Sequence, residues 1–256
     1  MSSFKNIKFS VAAPRAELVF SRPPNNTFNA EMMDEITEAL LSLRGQEALK
    51  ICVISGEGEL FSTGIEASEH TEATVEKFIN SGHEMFRALD ILEVPTVALV
   101  RGEVTGCGCQ LALACNLVLA SEDIKLGQPE IKMGLFPPAA AAGLPKNIGL
   151  KIAYELMFTG ELISAQEAKS LGLVNKVFPS KKFKEEAEKF IQKITANSAE
   201  VLRLAKRAMN CGLGFSFLDG MKRAERVYLN ELMLTRDANE GIQAYLEGRP
   251  PVWKDK

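Results

Sequence analysis

The stretch from Arg101 to Pro138 decides the fold, and it reads R-G-E-V-T-G-C-G-C-Q-L-A-L-A-C-N-L-V-L-A-S-E-D-I-K-L-G-Q-P-E-I-K-M-G-L-F-P-P. A glycine-rich turn, Gly102–Gly108, leads into a short apolar helix, and a strand-like L-V-L-A segment follows. Further along, Glu130 is a lone carboxylate that follows a proline and precedes an apolar residue. Backbone N–H groups at a helix start stabilise developing negative charge, and a carboxylate in apolar surroundings is suited to acid–base catalysis. The stretch therefore predicts chemistry alpha or beta to a carbonyl group.

The composition indicates a globular protein of ordinary make-up. Of the 256 residues, 46% are hydrophobic and 25% are charged, and the formal net charge of -3 gives no electrostatic reason to expect a nucleic-acid partner. No apolar run reaches the roughly 18 residues that a membrane span needs, so no membrane partner is expected. The first ten residues lack the apolar segment of a signal peptide, and the cysteines lack the spacing of a disulfide framework. We therefore expect reduced thiols and a cytoplasmic location.

Hydrophobic periodicity predicts strands that alternate with helices. The predicted strands cover residues 5–11, 15–20, 50–55, 96–100 and 174–178, and the predicted helices cover residues 29–44 and 73–92. Asn29 is the expected cap of the first helix, and Ser164 with Glu167 is expected to form a capping box that opens a later short helix. This rhythm is typical of a parallel α/β sheet. From residue 180 onward the pattern is almost entirely helical, with helices predicted at Phe183–Ile194, Glu200–Ala208 and Met221–Leu234.

Three segments together resemble, in their order and spacing, the signatures of the crotonase, or enoyl-CoA hydratase/isomerase, family. They are F-S-T-G-I-E at 61–66, G-E-V-T-G-C-G-C-Q-L-A-L-A-C-N at 102–116 and G-Q-P-E-I-K-M-G at 127–134. The resemblance covers nearly the whole chain, from the S-R-P-P-N-N-T-F-N segment to the A-Y-L-E-G-R-P-P-V-W tail. A narrower resemblance, to the cyclohexa-1,5-diene-1-carbonyl-CoA hydratase branch, is carried by A-S-E-H-T at 67–71 and by G-L-F-P-P-A-A-A-A-G-L-P at 134–145.

For the fold, the resemblance implies an α/β protein with a crotonase-like ββα spiral core and a helical C-terminal part that trimerises. We assign residues 1–195 to the core and residues 196–256 to the helical oligomerisation region. The expected assembly is a homotrimer or a homohexamer, a dimer of trimers, which would cover the apolar surface of these helices. Four basic side chains either meet the CoA phosphates of a neighbouring subunit or form a solvated face, and these are Lys206, Arg207, Lys222 and Arg223.

For the site, the resemblance implies that a CoA thioester binds with its carbonyl oxygen between the backbone N–H groups of Ile65 and Cys107. Glu130 matches the family's catalytic glutamate, which exchanges a proton with the acyl chain or handles water, and an apolar setting is expected to raise its pKa. Gln110 lies 20 residues earlier (130 − 110 = 20), where typical hydratases have a second glutamate. The further residues expected to bind substrate are Gly64, Glu66, His70, Gly106, Gly108, Phe136, Pro138 and Ala139.

The glutamine at position 110 leaves three alternatives for the activity. A glutamine amide can orient a water molecule, but it cannot take a proton from it. The first alternative is a hydratase, a lyase that adds water to an unsaturated acyl-CoA such as a cyclic dienoyl-CoA. The second is a double-bond isomerase that uses Glu130 alone, and the third is a catalytically weak acyl-CoA-binding subunit. Each of them takes acyl-CoA as the ligand, and no separate cofactor is expected.

Other candidate groups favour structural roles. No C-x-x-C or H-E-x-x-H pattern predicts a zinc site, and His70 either contacts the substrate or is a plain loop residue. Cys107 and Cys109 are expected to pack at the turn rather than act as nucleophiles, and Ser62 has no nearby histidine base. The alanines at 139–142 are expected either to line an acyl pocket with room for a flat, bulky group or to make a close helix–sheet contact.

Overall fold

The structure, a computed structural model, describes residues 4–255, and over this range the chain forms nine strands and ten α-helices. The strands are β1 (Ile7–Ala12), β2 (Arg15–Phe20), β3 (Ile51–Gly56), β4 (Thr96–Val100), β5 (Glu103–Thr105), β6 (Leu117–Ser121), β7 (Lys125–Gly127), β8 (Ile163–Ser164) and β9 (Lys176–Phe178). The helices are α1 (Ala30–Leu41), α2 (Val75–Asp90), α3 (Gly106–Ala114), α4 (Pro138–Ile148), α5 (Leu150–Thr159), α6 (Ala165–Ser170), α7 (Phe183–Thr195), α8 (Ala199–Asn210), α9 (Phe217–Asn230) and α10 (Arg236–Glu247). Every helix in the described range is too short or too polar to cross a membrane.

The larger sheet has six strands in the order β1-β2-β3-β4-β6-β9, and all neighbours after the β1–β2 hairpin are parallel. Its central strands are covered on both faces, which explains why β3 reads as a continuous apolar run. Val53, Val97 and Leu119 pack with apolar residues of α7. Their neighbours Ile54 and Ala98 belong to the main core, together with residues of α1, α2 and α3.

A second, smaller layer consists of β5, β7 and β8, and two isolated bridges, Phe28–Ile65 and Ser62–Val104, extend it. Each turn of the chain therefore adds one strand to the larger sheet and then a shorter segment to the second layer. β3 is followed by residues 62–65, β4 by β5, and β6 by β7. This repeat is the spiral that the resemblance implies, and it confirms the α/β class.

Two predicted helix starts are confirmed by their side-chain caps. The Asn29 side chain accepts a hydrogen bond from Met32 N at 2.9 Å, and α1 begins at the next residue. The side chains of Ser164 and Glu167 form a reciprocal capping box at the start of α6. The first helix ends at Leu41 rather than at residue 44, because the chain continues from there only as hydrogen-bonded turns.

The predicted glycine-rich turn at Gly102–Gly108 is wrong in its extent. β5 occupies the middle of this stretch, and α3 already begins at Gly106. Only Gly102 lies in a tight turn, where φ is +57° and a Cβ atom would lie 2.6 Å from Glu59 O. Pairing of β5 with β7 explains the difference, since a strand partner far along the chain overrides the local preference of glycine for turns.

The C-terminal helices differ from the prediction in their number. The third predicted helix is α9, which starts earlier than expected because Ser216 caps it, and α10 follows without having been predicted. Helix α8 packs against both α9 and α10. Large apolar side chains stay exposed on this part of the chain, and they include Met209, Leu213, Phe215, Phe217, Leu218, Tyr228, Leu229, Leu234, Tyr245 and Leu246.

Candidate functional site

The segment that follows β3 forms the first half of the site, and β5 fixes it from one side. Ser62 N donates a hydrogen bond to Glu103 O at 3.1 Å, and Thr105 N donates to Ser62 O at 2.9 Å. Both ends of the Ser62 residue are thereby held in the second layer of the spiral. The segment cannot slide along β5 without losing these backbone hydrogen bonds.

Phe28 fixes the same segment from the other side. Its N–H donates to Gly64 O, and Glu66 N donates to Phe28 O, both at 2.8 Å. A parallel bridge of this kind uses the groups on either side of the paired residue, which here is Ile65. The N–H of Ile65 therefore points away from the bridge and is available to a ligand.

The second half of the site is the start of α3, which meets the first half at two glycines. Gly64 and Gly106 have positive φ angles of +104° and +53°. A Cβ atom on Gly106 would lie 3.0 Å from Gly64 Cα and 2.9 Å from Glu130 Oε1. The absence of a side chain thus brings both backbone segments and the carboxylate together. Ile65 and Cys107 are the residues that follow these two glycines, and the N–H of Cys107 lies in the first turn of α3, where no intrahelical acceptor exists.

Glu130 lies in a 3-10 helix, Pro129–Met133, and is only 3% exposed. Its Oε1 accepts a hydrogen bond from Gln110 Nε2 at 3.4 Å, while Oε2 has no partner among the described residues. Burial raises the pKa of the Glu130 carboxyl above its usual range, against the opposing effect of hydrogen bonds from its own backbone and from Gln110. The predicted direction is confirmed, although the adjacent Ile131 is itself 39% exposed.

A cavity of about 370 Å³ lies between α2, α3 and α4, with Gln110 and Gln128 as polar residues of its wall. Apolar side chains make up much of the rest, among them Leu89, Leu113, Ala139, Ala140, Ala142 and Leu144. Gln128 is 2% exposed, and in the described part of the chain neither of its amide atoms has a hydrogen-bond partner of normal geometry, although the Cys109 thiol lies against it. The cavity therefore combines apolar walls with several polar side chains, because Asp90, Lys146 and Asn147 also line it.

Not every residue expected in the pocket reaches this cavity. Ala139, Ala140 and Ala142 line it, whereas Ala141 is exposed on the outer side of α4. Phe136 is 67% exposed and Pro138 is also exposed, and neither contributes to the wall. The reason is that α4 begins at Pro138, so the helical repeat turns successive residues of the alanine run in different directions.

Glu66 and His70 lie beside the site but are engaged with other residues. The Glu66 carboxylate forms an ion pair with Arg22 at 2.9 Å, and this hydrogen bond holds the pKa of Glu66 below its usual range. The His70 ring packs against Phe78 with ring centroids 4.5 Å apart, and its Nδ1 lies 3.4 Å from Glu66 O. These contacts give both residues a structural role in holding the segment after the first half of the site.

The cysteines of α3 are buried thiols. Burial and the neighbouring Glu130 carboxylate both raise the pKa of Cys107 and of Cys109 far above the ordinary thiol value. A thiolate nucleophile at either position is therefore disfavoured, in agreement with the packing role expected from the sequence. Among residues 4–255, no group of three or more His, Cys, Asp or Glu side chains converges in a way that could hold a metal ion.

One of the basic residues considered for CoA phosphates lies inside the protein. Lys206 is 7% exposed and its Nζ donates to Val94 O at 3.1 Å, so it does not form part of a solvated face. Burial lowers the pKa of Lys206 to about 8. Arg207 pairs with Glu231, and Arg223 stacks over the ring of Phe215. The sequence could not show this because the burial of Lys206 depends on where α8 docks.

Two buried polar residues of the site were not recognised from the sequence as contributors to its geometry. They are Ser62, which the sequence indicates only as a nucleophile candidate without a histidine base, and Gln128, which no sequence pattern indicates. Each lies within a segment that carries the family resemblance, F-S-T-G-I-E and G-Q-P-E-I-K-M-G. Their position in these segments was the available signal, but their burial appears only in the folded chain.

Comparisons with known proteins agree with this architecture. Residues 13–256 match the family model described as Enoyl-CoA hydratase/isomerase. The chain is 33% identical to the cyclohexa-1,5-dienecarbonyl-CoA hydratase of Thauera aromatica over 239 residues, covering 93% of this chain and 92% of that protein. It is 31% identical over 242 residues to the 2,3-dehydroadipyl-CoA hydratase of Escherichia coli (strain K12), covering 93% and 94%. The crystal structure of human enoyl coenzyme A hydratase domain-containing protein 3 matches with a TM-score of 0.92 at 30% identity. The match covers 97% of this chain and 100% of that one. This chain therefore belongs to the enoyl-CoA hydratase/isomerase, or crotonase, family and is an enzyme of that type.

Proposed function

We propose that the protein is a hydratase that adds water to the double bond of an unsaturated acyl-CoA. The observation that carries the proposal is the position of Glu130, next to the junction of Gly64 and Gly106. It is a buried carboxyl with one oxygen that has no hydrogen-bond partner among residues 4–255. A carboxyl with a raised pKa can both give and take a proton near neutral pH. The junction supplies two backbone N–H groups for a thioester oxygen.

In this proposal the N–H groups of Ile65 and Cys107 hold the thioester oxygen as it gains enolate character. Backbone donors need no reorganisation during the reaction, and losing one typically costs about a hundred- to a thousandfold in rate. Gln110 orients the attacking water. As the water oxygen bonds to the β-carbon, Glu130 takes a proton from the water and delivers a proton to the α-carbon, so that one water molecule is added in total.

A double-bond isomerase is the second candidate, and one observation favours it. Gln110 cannot ionise, and its amide donates to Glu130 Oε1, so the site contains one proton carrier rather than two. Such a site can move a proton between two carbons of the acyl chain without adding water. The third alternative, a weak acyl-CoA-binding subunit, predicts that Glu130 has no influence on any turnover.

The cavity between α2, α3 and α4 supports an acyl group that is flat or ring-shaped. Its volume is about 370 Å³, and three alanines of α4 keep its wall open near Gln110 and Gln128. One relative at 33% identity is named a cyclohexa-1,5-dienecarbonyl-CoA hydratase, which supports a cyclic dienoyl-CoA as the substrate class. Another is named a 2,3-dehydroadipyl-CoA hydratase, so a linear acyl chain is the alternative for the test.

We further propose a cytoplasmic homotrimer or homohexamer, in which residues 196–256 make the subunit contacts. The exposed apolar side chains of α9 and α10 support this assembly, since a monomer rarely leaves such a patch uncovered. Five free cysteines support a reducing compartment. Beyond the acyl-CoA substrate, the proposed chemistry uses only groups of this chain.

The proposal is tested by mass spectrometry after incubation with crotonyl-CoA, a 3-enoyl-CoA and a cyclic dienoyl-CoA in heavy-oxygen water. A product that carries one labelled water molecule supports the hydratase, and the substrate that reacts identifies the class. A product of unchanged mass but shifted elution supports the isomerase. If none of the three substrates is converted, the hydratase proposal is contradicted for these classes.

A further inference from the structure

Ser62 is a fully buried hydroxyl within the first half of the site, at 0% exposure. Its Oγ donates a hydrogen bond to Asn26 O at 2.8 Å and accepts one from Gly64 N at 3.1 Å. The hydroxyl therefore uses its donor and one acceptor position on two backbone groups. The N–H of Gly64 belongs to the peptide group that immediately precedes the Gly64–Ile65 peptide, and the Gly64–Ile65 peptide carries the N–H of Ile65.

The anchor on the far side of Ser62 is itself rigid. Asn26 is fully buried, and its Nδ2 donates to Glu57 O at 2.9 Å while its Oδ1 accepts from Arg22 N at 3.0 Å. A hydroxyl fixed to such an anchor holds Gly64 N at a defined place. Gly64 has a positive φ of +104°, and glycine is the most conformationally permissive residue. The hydrogen bond from Ser62 therefore restricts backbone freedom that Gly64 itself does not restrict.

Ser62 also contacts the other half of the site. A Cβ atom on Gly108, in the first turn of α3, would lie 2.5 Å from Ser62 Cβ and 2.7 Å from its Oγ. The serine side chain thus packs directly on the backbone of Gly108, one residue after Cys107. A single side chain touches both of the backbone segments whose N–H groups would bind the thioester oxygen.

We propose that Ser62 is a positioning residue, which sets the direction of the Ile65 N–H and its separation from the Cys107 N–H. The inference rests on the proposed function, because it concerns the stabilisation of an enolate at these two donors. Such stabilisation requires donors about 2.7–3.1 Å from the oxyanion. A small rotation of the Gly64–Ile65 peptide is therefore enough to weaken it.

The test compares Ser62→Ala and Ser62→Cys with the wild-type protein. Alanine keeps the contact with Gly108 but removes both hydrogen bonds, whereas a thiol is a weaker donor and acceptor. Ser121→Ala is the matched control, since Ser121 is 2% exposed and donates to Ser180 Oγ at 3.0 Å, at the end of β6. Thermal denaturation of all four proteins shows how much each change affects the fold.

Two measurements separate positioning from stability. The first is kcat and KM for the substrate that the wild type hydrates. The second is the near-ultraviolet absorbance of the enolate of bound acetoacetyl-CoA, a β-ketoacyl thioester. We expect Ser62→Ala to lower kcat by about tenfold to a hundredfold, less than the loss of a whole oxyanion donor, with KM changed by less than about threefold, and to weaken the enolate signal. The kcat and the enolate absorbance of Ser62→Cys should lie between those of Ser62→Ala and the wild type. Ser121→Ala should change only the melting temperature.

Wild-type kcat and enolate absorbance in Ser62→Ala would overturn the inference while leaving the proposed function intact. So would equal losses of kcat in Ser62→Ala and Ser121→Ala, since that pattern reports only stability. A wild-type protein that neither hydrates an acyl-CoA nor stabilises the enolate contradicts the proposed function itself, and this inference falls with it.

Discussion

Gln110 donates its amide to Glu130 Oε1 at 3.4 Å, and Oε2 of the same carboxylate has no partner among the described residues. A hydrogen bond of this length is weak, so it offsets little of the effect of burial on the Glu130 pKa. The relationship leaves one oxygen of the acid unengaged.

Glu130→Gln is expected to stabilise the folded protein at neutral and alkaline pH. The pKa of Glu130 is raised above its ordinary value of 4.5, so the folded state favours the neutral carboxyl. The stability that the Glu130 carboxyl contributes is fully present below pH 4.5 and is lost as pH rises through its raised pKa. The advantage of the variant in urea unfolding should therefore grow with pH from about 4.5 upward. A constant difference between pH 4 and pH 9 would contradict the prediction.

Gln110→Glu is expected to change the pH dependence of turnover. A second carboxylate in contact with Glu130 disfavours double ionisation and raises the pKa of the pair further. The acid limb of the kcat/KM profile should move to higher pH, and the hydration rate at neutral pH should increase because a second group can now take a proton. Gln110→Leu is the control and should be slower than the wild type, because leucine lacks the amide that orients the water. Identical profiles for all three proteins would contradict a contact between positions 110 and 130.

Gly106→Ala is expected to lower activity by more than about a hundredfold, since it disturbs an oxyanion donor. The added Cβ would lie 2.9 Å from Glu130 Oε1 and 3.0 Å from Gly64 Cα, at a residue whose φ is +53°. The matched control is Gly82→Ala on α2, where the nearest atom, Met33 Sδ, is 3.5 Å away and a helical alanine is favourable. A near-wild-type kcat in Gly106→Ala, measured alongside this control, would contradict the prediction.

Ala140→Leu is expected to reduce turnover of cyclic acyl-CoA by at least about tenfold, while short linear substrates are spared. The leucine side chain would occupy cavity volume that a bulky acyl group needs, and overpacking of this kind costs about 1–3 kcal/mol. Ala140 is buried and lines the cavity, whereas the adjacent Ala141 is exposed. Ala141→Leu adds the same volume outside the cavity and is the control. The ratio of kcat/KM for the two substrate classes is the measurement. An equal ratio in both variants would show that this cavity does not hold the acyl group.

Much of the core follows from sequence patterns, because local rules and tertiary structure agree there. The predicted strand at 96–100 coincides with β4, and Asn29 caps α1 as expected. Gln110 and Glu130, which the resemblance matches to the family's two catalytic positions, lie in contact in the structure. These features depend on neighbours in sequence or on a motif whose parts come together in one turn of the spiral.

The features that sequence could not supply depend on long-range contacts. Lys206 is buried by the docking of α8, and Ala141 faces outward because of the phase of α4. Ser62 acquires its role from Asn26, which lies 36 residues earlier, and from Gly108 on a different helix. Periodicity carries no information about such pairs.

The most direct test of the account is the rate at which wild type and Glu130→Gln add heavy-oxygen water to the same unsaturated acyl-CoA. The proposed mechanism predicts that the wild type incorporates one labelled oxygen and that the variant is slower by about a hundredfold or more, the typical contribution of a general acid–base group. It also predicts that both proteins bind the substrate with similar affinity, since the thioester oxygen is held by backbone groups. Equal rates of label incorporation in the two proteins would remove Glu130 from the mechanism and contradict the account.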